Sequence, residues 1–272
     1  SKNKYSENSS IVELYTESHG KVLGIVYGAT SKKIKSYLQI GNKLHLNYNL
    51  KNENRIGYLK IEIDEILTPK YFDDKKKLSS IVSSMSLIKT LTVDNQINNK
   101  IFILIKKLFL ILNDYYWINK LIFWELELLK LVGYDLELSK IVEEELVSGK
   151  KHYFVSKNSE KKYIPSFLVE QNYYEVDINQ ISSGFKLVTD YLEKSILKPN
   201  NILHPKSRIE FLNLLKEWFY YFRSLAILLA KYVITAFAPA LLNPVKISNI
   251  VFLSIIFLFI PLQIKLYSPE TW

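Results

Sequence analysis

Apolar and polar residues alternate with a period of two through most of residues 11–66, and further along the chain the period becomes that of a helix. Leu44 and Leu46, for example, alternate with His45 and Asn47, which is typical of a strand with one buried face. Segments that are polar or contain glycine separate such runs at 17–20, 28–36 and 51–55. Short strands at this spacing predict a small antiparallel barrel or sandwich.

The region has the size of a five-stranded barrel of the oligonucleotide-binding (OB) type. The pattern shows only about four strands, so the first strand of such a barrel is expected to precede Ser1. Residues 22–27 are apolar on both faces, which predicts a strand in the interior of the sheet. Gly24 at its centre favours a sharp bend, and a polar loop carrying Lys32, Lys33 and Lys35 is expected to follow.

Apolar residues at helical spacing begin after Pro69, and three helices are predicted between Leu78 and Val132. Gly133 stands where a C-terminal cap is expected. Residues 151–165 indicate a hairpin, and start signals at Asp177 and Ser207 predict two further helices. The predicted fold class is therefore α+β, with an N-terminal OB-fold β-barrel (1–68) followed by an α-helical domain (69–215) that has a small hairpin insertion near 151–165.

A hydrophobic tail of doubtful origin, residues 216–272, ends the chain. Residues 247–264 form a run of 18 without a charge, at the lower end of what spans a bilayer, and residues 224–245 are nearly as apolar. Three interpretations stay open: a membrane anchor, a helical hairpin packed on the preceding domain, or a translation artefact such as read-through. The Ile, Phe, Leu and Lys content expected of AT-rich coding out of frame favours the third.

Charge and composition narrow the choice of partners. The 36 Lys and Arg residues exceed the 27 Asp and Glu residues, for a net charge of +9, which favours nucleic acid, an anionic membrane or an acidic protein tail. The chain has no cysteine, which excludes disulfides, thiolate catalysis and cysteine zinc sites. Its four histidines are scattered along the chain, so a metal site is not expected.

No catalytic constellation stands out, so no catalytic residue, metal or cofactor is predicted. The pair Gly24 and Gly28 lacks the spacing and ending of a phosphate-binding loop. Three consecutive carboxylates at 143–145 are more typical of a solvated loop or helix end than of a metal site. Glu125 beside Trp124 is a possible buried acid, although structural pairing with a nearby Lys or a backbone amide is the simpler interpretation.

Basic and aromatic residues on the barrel region suggest a surface for nucleic acid. Cations attract phosphates, and flat rings stack on unpaired bases. The predicted DNA-binding residues are Lys21, Lys32, Lys33, Lys35, Lys43, Arg55 and Tyr37, with Tyr27, Tyr48 and Tyr58 interleaved among them. A solvated lysine loop on any β-domain explains the three loop lysines as well, and the alternation of Tyr48 with polar residues indicates that it faces the core.

The order of short motifs resembles the RecO family of bacterial recombination mediators. SENSSIVELYTESHG at 6–20 is similar to the family's opening pattern, although Ser6 replaces the usual glycine. GKVLGIVYG at 20–28, the basic loop with LQIGN at 38–42, FWELELLKLVGYDLELSK at 123–140 and HYFVSKNSEKKYIP at 152–165 follow in order. Similarity at 188–192 and 208–215 extends the resemblance to Leu215. Ile141 stands where many members have the first cysteine of a zinc site, so a zinc-bearing version is ruled out.

The resemblance implies a non-enzymatic protein of the cytoplasm, associated with the nucleoid. It would bind single- and double-stranded DNA, anneal complementary strands and work with RecR. It would also help to load RecA onto strands covered by single-stranded-DNA-binding protein (SSB), by contacting the acidic SSB tail. An apolar groove edged by cations could receive that tail, and the predicted partner-binding residues are Lys106, Lys107, Lys130 and Trp124.

Two hypotheses of other classes stay open. The first is a membrane-associated adaptor protein anchored by residues 224–264, with a membrane as partner only if the tail is genuine. The second is an enzyme acting on nucleic acid, which the absence of metal and nucleophile motifs disfavours.

Overall fold

The computed structural model describes residues 1–49, 56–147, 149–157 and 160–237. Its N-terminal part is a five-stranded sheet, and a short helix, α1 (Lys32–Tyr37), lies between the third and fourth strands. The strands are β1 (Lys2–Lys4), β2 (Ser9–Thr16), β3 (Gly20–Tyr27), β4 (Lys43–Asn49) and β5 (Gly57–Glu65), and their order in the sheet is β1-β2-β3-β5-β4.

The strand order is OB-like and corrects two details of the sequence prediction. A fifth strand, β1, pairs antiparallel with β2 inside the chain. Moreover, β3 pairs with β5 in parallel, whereas the other pairs are antiparallel as predicted. Among the described residues no strand pair joins β1 to β4, so the sheet is a partly open barrel. β3 has neighbours on both sides, which confirms its predicted interior position.

The barrel core contains Val12, Val26, Leu59 and Ile61, all buried. Tyr48 packs against this cluster, which confirms that it faces inward. At Gly24, where a bend was expected, the structure shows a close approach: a Cβ added there would lie 2.4 Å from Leu59 Cγ. The missing side chain of Gly24 is therefore what allows Leu59 to fill the centre of the barrel.

Helices and a second small sheet form the rest of the first compact unit, which runs from Ser1 to Leu212. Side-chain caps start three of the helices: Asp74, Asn98 and Asp177 each accept a hydrogen bond from a backbone N–H of the first turn. The helices are α2 (Lys75–Leu91), α3 (Asn99–Leu112), α4 (Trp117–Leu131), α5 (Leu138–Ile141), α6 (Ser166–Val169), α7 (Ile178–Leu192) and α8 (Lys206–Phe237).

Gly133 ends α4 as predicted. Its φ is +91°, its N–H donates to Lys130 O, and the N–H of Tyr134 donates to Leu129 O. These two bonds satisfy carbonyls that the end of the helix would otherwise leave unpaired. A side chain with a Cβ would be strained at this φ, which explains the choice of glycine.

The predicted hairpin insertion is a three-stranded antiparallel sheet, β6 (Glu143–Val147), β7 (Lys150–Lys157) and β8 (Glu160–Ile164). The carboxylates at 143–145 thus lie on a strand rather than on a loop or helix end. Lys151 pairs with Glu144 at 3.1 Å, and Lys161 and Tyr163 both contact Glu145. Pairing with lysines of the other two strands thus compensates the charges of Glu144 and Glu145.

Helix α8 continues through the predicted domain boundary at Leu215 as far as Phe237, and the boundary between the two compact units falls after Leu212. In the described part of the chain, no helix has the length and apolarity needed to cross a membrane. The anchor hypothesis depends on residues 224–264: residues 224–237 belong to α8, and residues 238–264, which include the uncharged run 247–264, lie outside the described residues.

A buried ion pair joins α4 to the start of α8. Arg208 Nη1 and Nη2 donate to Glu125 Oε1 and Oε2 at 2.5 and 2.9 Å, and Nη2 also donates to the hydroxyl of Thr189 on α7 at 3.1 Å. The side chain of Arg208 is 0% exposed and that of Glu125 is 2% exposed. Structural pairing was the simpler interpretation of Glu125, and this is what the structure shows, although the partner is an arginine 83 positions away.

Candidate nucleic-acid interface

Lys32, Lys33 and Lys35 lie on helix α1 and not on the loop that the sequence predicted. Ser31 caps the helix: its hydroxyl accepts from Ile34 N at 3.3 Å and donates to Gly28 O at 2.7 Å. The apolar side of α1 packs against the barrel core, through Ile34, Tyr37 and Leu38. The three lysines point the other way and are all exposed, and no ion pair to any of them occurs within the described residues.

The loop between β1 and β2 holds the start of α1. Asn8 O accepts from the N–H groups of Gly28 and Ala29 at 2.8 and 3.3 Å, and Asn8 Oδ1 accepts from the Thr30 hydroxyl at 2.8 Å. The same loop starts at Tyr5, whose ring is 59% exposed. The basic helix is therefore fixed beside the end of the barrel at which β1 and β2 are joined, one of the loops through which OB-folds bind nucleic acids.

Two tyrosines stack at this end of the barrel. Tyr27 ends β3 and Tyr58 lies near the start of β5, and the strand register places Tyr58 beside Ile25. The ring centroids are 5.3 Å apart with an interplanar angle of 15°. Tyr27 is 63% exposed. A hydrogen bond to Tyr58 raises the pKa of the Tyr27 hydroxyl, so this group is neutral at physiological pH.

Lys60 continues this face of β5, two residues beyond Tyr58. Its side chain is 77% exposed, and Glu62 Oε1 lies 4.0 Å from its ammonium. We call the combined patch the tyrosine–lysine surface; it consists of Tyr5, Tyr27, Tyr58, Lys32, Lys33, Lys35 and Lys60. The sequence indicates Tyr27 and Tyr58 only as tyrosines interleaved with the predicted DNA-binding residues, and it does not single out Tyr5 or Lys60.

Lys21 and Lys43, two of the predicted DNA-binding lysines, already have carboxylate partners. Lys21 Nζ lies 3.0 Å from Asp94 and donates to the carbonyls of Lys89 and Thr92 at 3.0 and 2.6 Å, and its side chain is only 13% exposed. This lysine therefore caps the C-terminal end of α2 and joins the barrel to the helices, so its ammonium is less accessible to phosphates than those of α1, and its assignment to the DNA surface stays a prediction.

Lys43 and Tyr37, which were also predicted to bind DNA, are less available to phosphates than the lysines of α1 are. Lys43 Nζ is 2.6 Å from Asp64. A hydrogen bond to Asp64 raises the pKa of Lys43, and the same contact lowers the pKa of Asp64. Tyr37 is half-buried against the core, with Lys33 Nζ 5.9 Å from its ring centroid. Arg55 lies outside the described residues.

A groove of about 910 Å³ lies along α3, α4 and the segment 135–140. Two of the predicted partner-binding residues, Lys107 and Lys130, line it together with apolar residues such as Leu110 and Leu136. Trp124 also lines it but is only 2% exposed, because its indole N–H donates to Leu104 O at 2.7 Å inside the bundle. Lys106 lies over the Phe102 ring, 4.6 Å from its centroid, and is not part of the lining.

The charges of the groove are largely paired with one another. Lys130 lies 3.5 Å from Asp135, and Lys140 lies 2.6 Å from Glu137. Lys120 lies 2.5 Å from Asp114. No ion pair to Lys107 occurs within the part of the chain that the structure describes. The groove is thus less cationic than the lysines alone suggested, and an acidic ligand would compete with resident carboxylates.

Comparison with known proteins gives matches along most of the chain. The family described as recombination protein O N terminal matches residues 1–65, and recombination protein O C terminal matches residues 73–218. A DNA repair protein RecO from Bartonella bacilliformis is 26% identical over 235 residues, which cover 80% of this chain and 94% of the relative. The RecO protein of Rhodospirillum rubrum is 22% identical over 232 residues, which cover 79% of this chain and 92% of the relative.

Proposed function

Since this chain belongs to the RecO family of DNA repair proteins, we propose that it is a non-enzymatic mediator of recombinational repair that binds DNA, anneals complementary strands and helps to load a recombinase. The observation that carries the proposal is the exposed face of α1, where Lys32, Lys33 and Lys35 stand beside the end of the OB-like barrel at which β1 and β2 are joined.

The lysines of α1 bind DNA through its phosphates. Each phosphate that a lysine neutralises releases condensed counterions, which favours binding to any sequence and makes the affinity fall with salt. Asn8 holds the segment that leads into α1 and Ser31 caps the helix, so the three ammonium groups are carried on a fixed support. Only their own side-chain rotations are lost when they bind phosphate.

Annealing follows from the same electrostatics. Two complementary strands repel each other through their phosphates, and a surface that neutralises phosphates lowers that repulsion without reading sequence. Lysines, unlike side chains that make bidentate contacts to base edges, leave those edges free to pair. Such a surface can hold one strand while a second strand pairs with it.

The groove beside α3 and α4 is the proposed contact for the acidic SSB tail. Its apolar floor suits the side chains of a peptide, and Lys107 offers a cation that is not engaged by a carboxylate of the described chain. Lys130 can contact the peptide only after its ion pair with Asp135 is broken. Cooperation with RecR, and through it with RecA, is part of the same proposal and rests on family membership.

The non-enzymatic part of the proposal rests on Glu125. This was the most plausible buried acid of the sequence, and both its oxygens are occupied by Arg208. A carboxylate whose two oxygens both accept hydrogen bonds from a buried guanidinium has no oxygen facing a substrate, so it is poorly placed to act as a general base.

Fluorescence anisotropy with a labelled 20-nucleotide single strand and a 20-base-pair duplex, at salt concentrations from 50 to 200 mM, tests the DNA-binding function. We expect Lys32→Glu with Lys33→Glu to weaken binding to both probes about tenfold or more and to lower the salt slope, since two phosphate contacts are lost. Lys186→Glu with Lys194→Glu changes the net charge by the same amount on exposed positions of the helical domain and is the matched control. Equal effects of the two double variants would contradict the assigned surface.

Strand annealing is measured separately, by the rate at which two complementary labelled oligonucleotides form a duplex. The Lys32→Glu, Lys33→Glu variant should lose most of the acceleration that the unmodified protein gives. Retained acceleration together with weakened DNA binding would show that annealing depends on another surface.

A further inference from the structure

We propose that the stacked pair of Tyr27 and Tyr58 is a platform for an unpaired base and makes the tyrosine–lysine surface prefer single-stranded DNA over duplex. This inference rests on the DNA-binding function proposed above and adds to it a strand preference and the residues that produce it. The lysines of α1 alone would not distinguish the two forms, because both carry phosphates.

The strand register places both rings outside the barrel core. Val26 and Leu59 are core residues, and each is the chain neighbour of one of the two tyrosines. Because successive side chains of a strand point to opposite faces, Tyr27 and Tyr58 both lie on the outer face. Their stacking therefore contributes nothing to the barrel interior, and the pair leaves a large aromatic ring, Tyr27, 63% exposed.

The geometry of the pair suits the addition of a third ring. A centroid distance of 5.3 Å and an angle of 15° describe an offset stack, the arrangement that aromatic rings prefer. An unpaired base has a free face and can extend such a stack, which typically contributes about 1–3 kcal/mol per base. In a duplex both faces of each internal base are covered by neighbouring base pairs, so the platform has nothing to receive.

Cations lie on both sides of the platform in the chain. Gly28 to Ser31 are all that separate Tyr27 from the lysines of α1, and Asn8 holds this connection. On β5, Lys60 follows Tyr58 on the same face and is 77% exposed. A strand whose base stacks on the pair thus has lysines available for its flanking phosphates, which is the combination that single-strand-binding barrels use.

The test compares a labelled dT20 strand with a 20-base-pair duplex by anisotropy. Tyr27→Leu with Tyr58→Leu keeps apolar bulk but removes both rings, and we expect a loss of roughly five- to a hundredfold in affinity for dT20. Duplex affinity and the salt slope should stay within about twofold of the unmodified protein. Tyr27→Phe keeps the ring and should retain the strand preference, and Tyr163→Leu, an exposed tyrosine of β8, is the matched control.

Photo-crosslinking of the unmodified protein supplies a readout that does not depend on how the variants fold. A dT20 strand that contains 5-iododeoxyuridine should cross-link to Tyr27 or Tyr58, as read by mass spectrometry of the peptides. Cross-links only elsewhere, or equal losses for strand and duplex in the double leucine variant, would overturn the platform. The proposed DNA-binding function fails on a different result, namely no binding of either probe by the unmodified protein, whereas binding that does not depend on Lys32 and Lys33 would contradict only the surface assigned to it.

Discussion

The buried pair of Glu125 and Arg208 gives the sharpest prediction about stability. Glu125→Gln removes the negative charge but preserves the size of the side chain, so Arg208 keeps a buried positive charge whose other hydrogen bond to a described side chain goes to the hydroxyl of Thr189. Leaving one partner of such a pair uncompensated typically costs about 3–5 kcal/mol.

That cost is a large share of the total stability, because folded proteins are stable by only about 5–15 kcal/mol. The geometry places this pair at the upper end of the range: two parallel N–H···O contacts of 2.5 and 2.9 Å join groups that are 0% and 2% exposed. A lowering of the melting temperature by roughly 6–20 °C corresponds to this loss in a protein of about this size.

Urea unfolding followed by circular dichroism measures the effect, with Glu127→Gln as the matched control. Glu127 lies two residues further along α4 and is exposed, so its change should stay within about 0.5 kcal/mol. Glu125→Met with Arg208→Met removes both charges together, and this double variant should be more stable than Glu125→Gln.

Two results would refute this reasoning. If Glu125→Gln and Glu127→Gln were equally stable, the pair would not be held in a low-dielectric environment. The second concerns the double methionine variant. If it lost as much stability as the single variants Glu125→Met and Arg208→Met lose in sum, there would be no coupling between the two side chains. A separate expectation concerns DNA binding. At a temperature where Glu125→Gln stays folded, it should bind DNA as well as the unmodified protein does, because Glu125 has a structural role.

Three further predictions concern the barrel and the groove. Ser31→Ala removes the cap of α1 and should destabilise that helix by about 1 kcal/mol, which is measured as faster amide hydrogen exchange. Ser31→Asp should keep the amides protected, and unchanged exchange in the alanine variant would contradict the role of the cap. Gly24→Val forces a Cβ into the space of Leu59 and should lower the free energy of unfolding by about 1–3 kcal/mol in urea, and a neutral result would mean that the barrel centre can repack. Asp135→Asn releases Lys130 and should raise the affinity for a labelled acidic peptide a few-fold in anisotropy, and no change would show that Lys130 does not contact the peptide.

The sequence predicts the elements with a strong period but not those that depend on pairing partners. Strands β2, β4 and β5 and the long helices show clear alternation or helical spacing, because each buries one face of its own, and β3 shows as a short run that is apolar on both faces. Strand β1 has three polar residues and no apolar pattern, and it is ordered by its pairing with β2. Helix α1 has its cap at Ser31, but its run of lysines conceals the apolar residues that pack on the core.

The sequence predicts that the barrel has a basic surface but not which lysines form it. Lysines that look alike in the sequence make different contacts in the folded chain. Lys21 and Lys32 are both basic residues next to the same strand, and sequence alone treats them alike. Lys21 meets Asp94 and the end of α2, some 70 positions away, and this contact exists only in the folded chain. Lys32 follows a cap that turns it to the solvent.

The tyrosines show the same limit more clearly, because β3 is apolar on both faces. Neither Tyr27 nor its neighbour Val26 is marked by sequence as the inward residue, and a shift of one position would exchange their roles. The parallel pairing of β3 with β5 decides the matter: it places Tyr58 beside Ile25 and so brings the two rings together on the outer face. The stacked ring pair is thus set by the register of two strands, and the variant with both Tyr27→Leu and Tyr58→Leu tests whether the surface that this register creates receives a base.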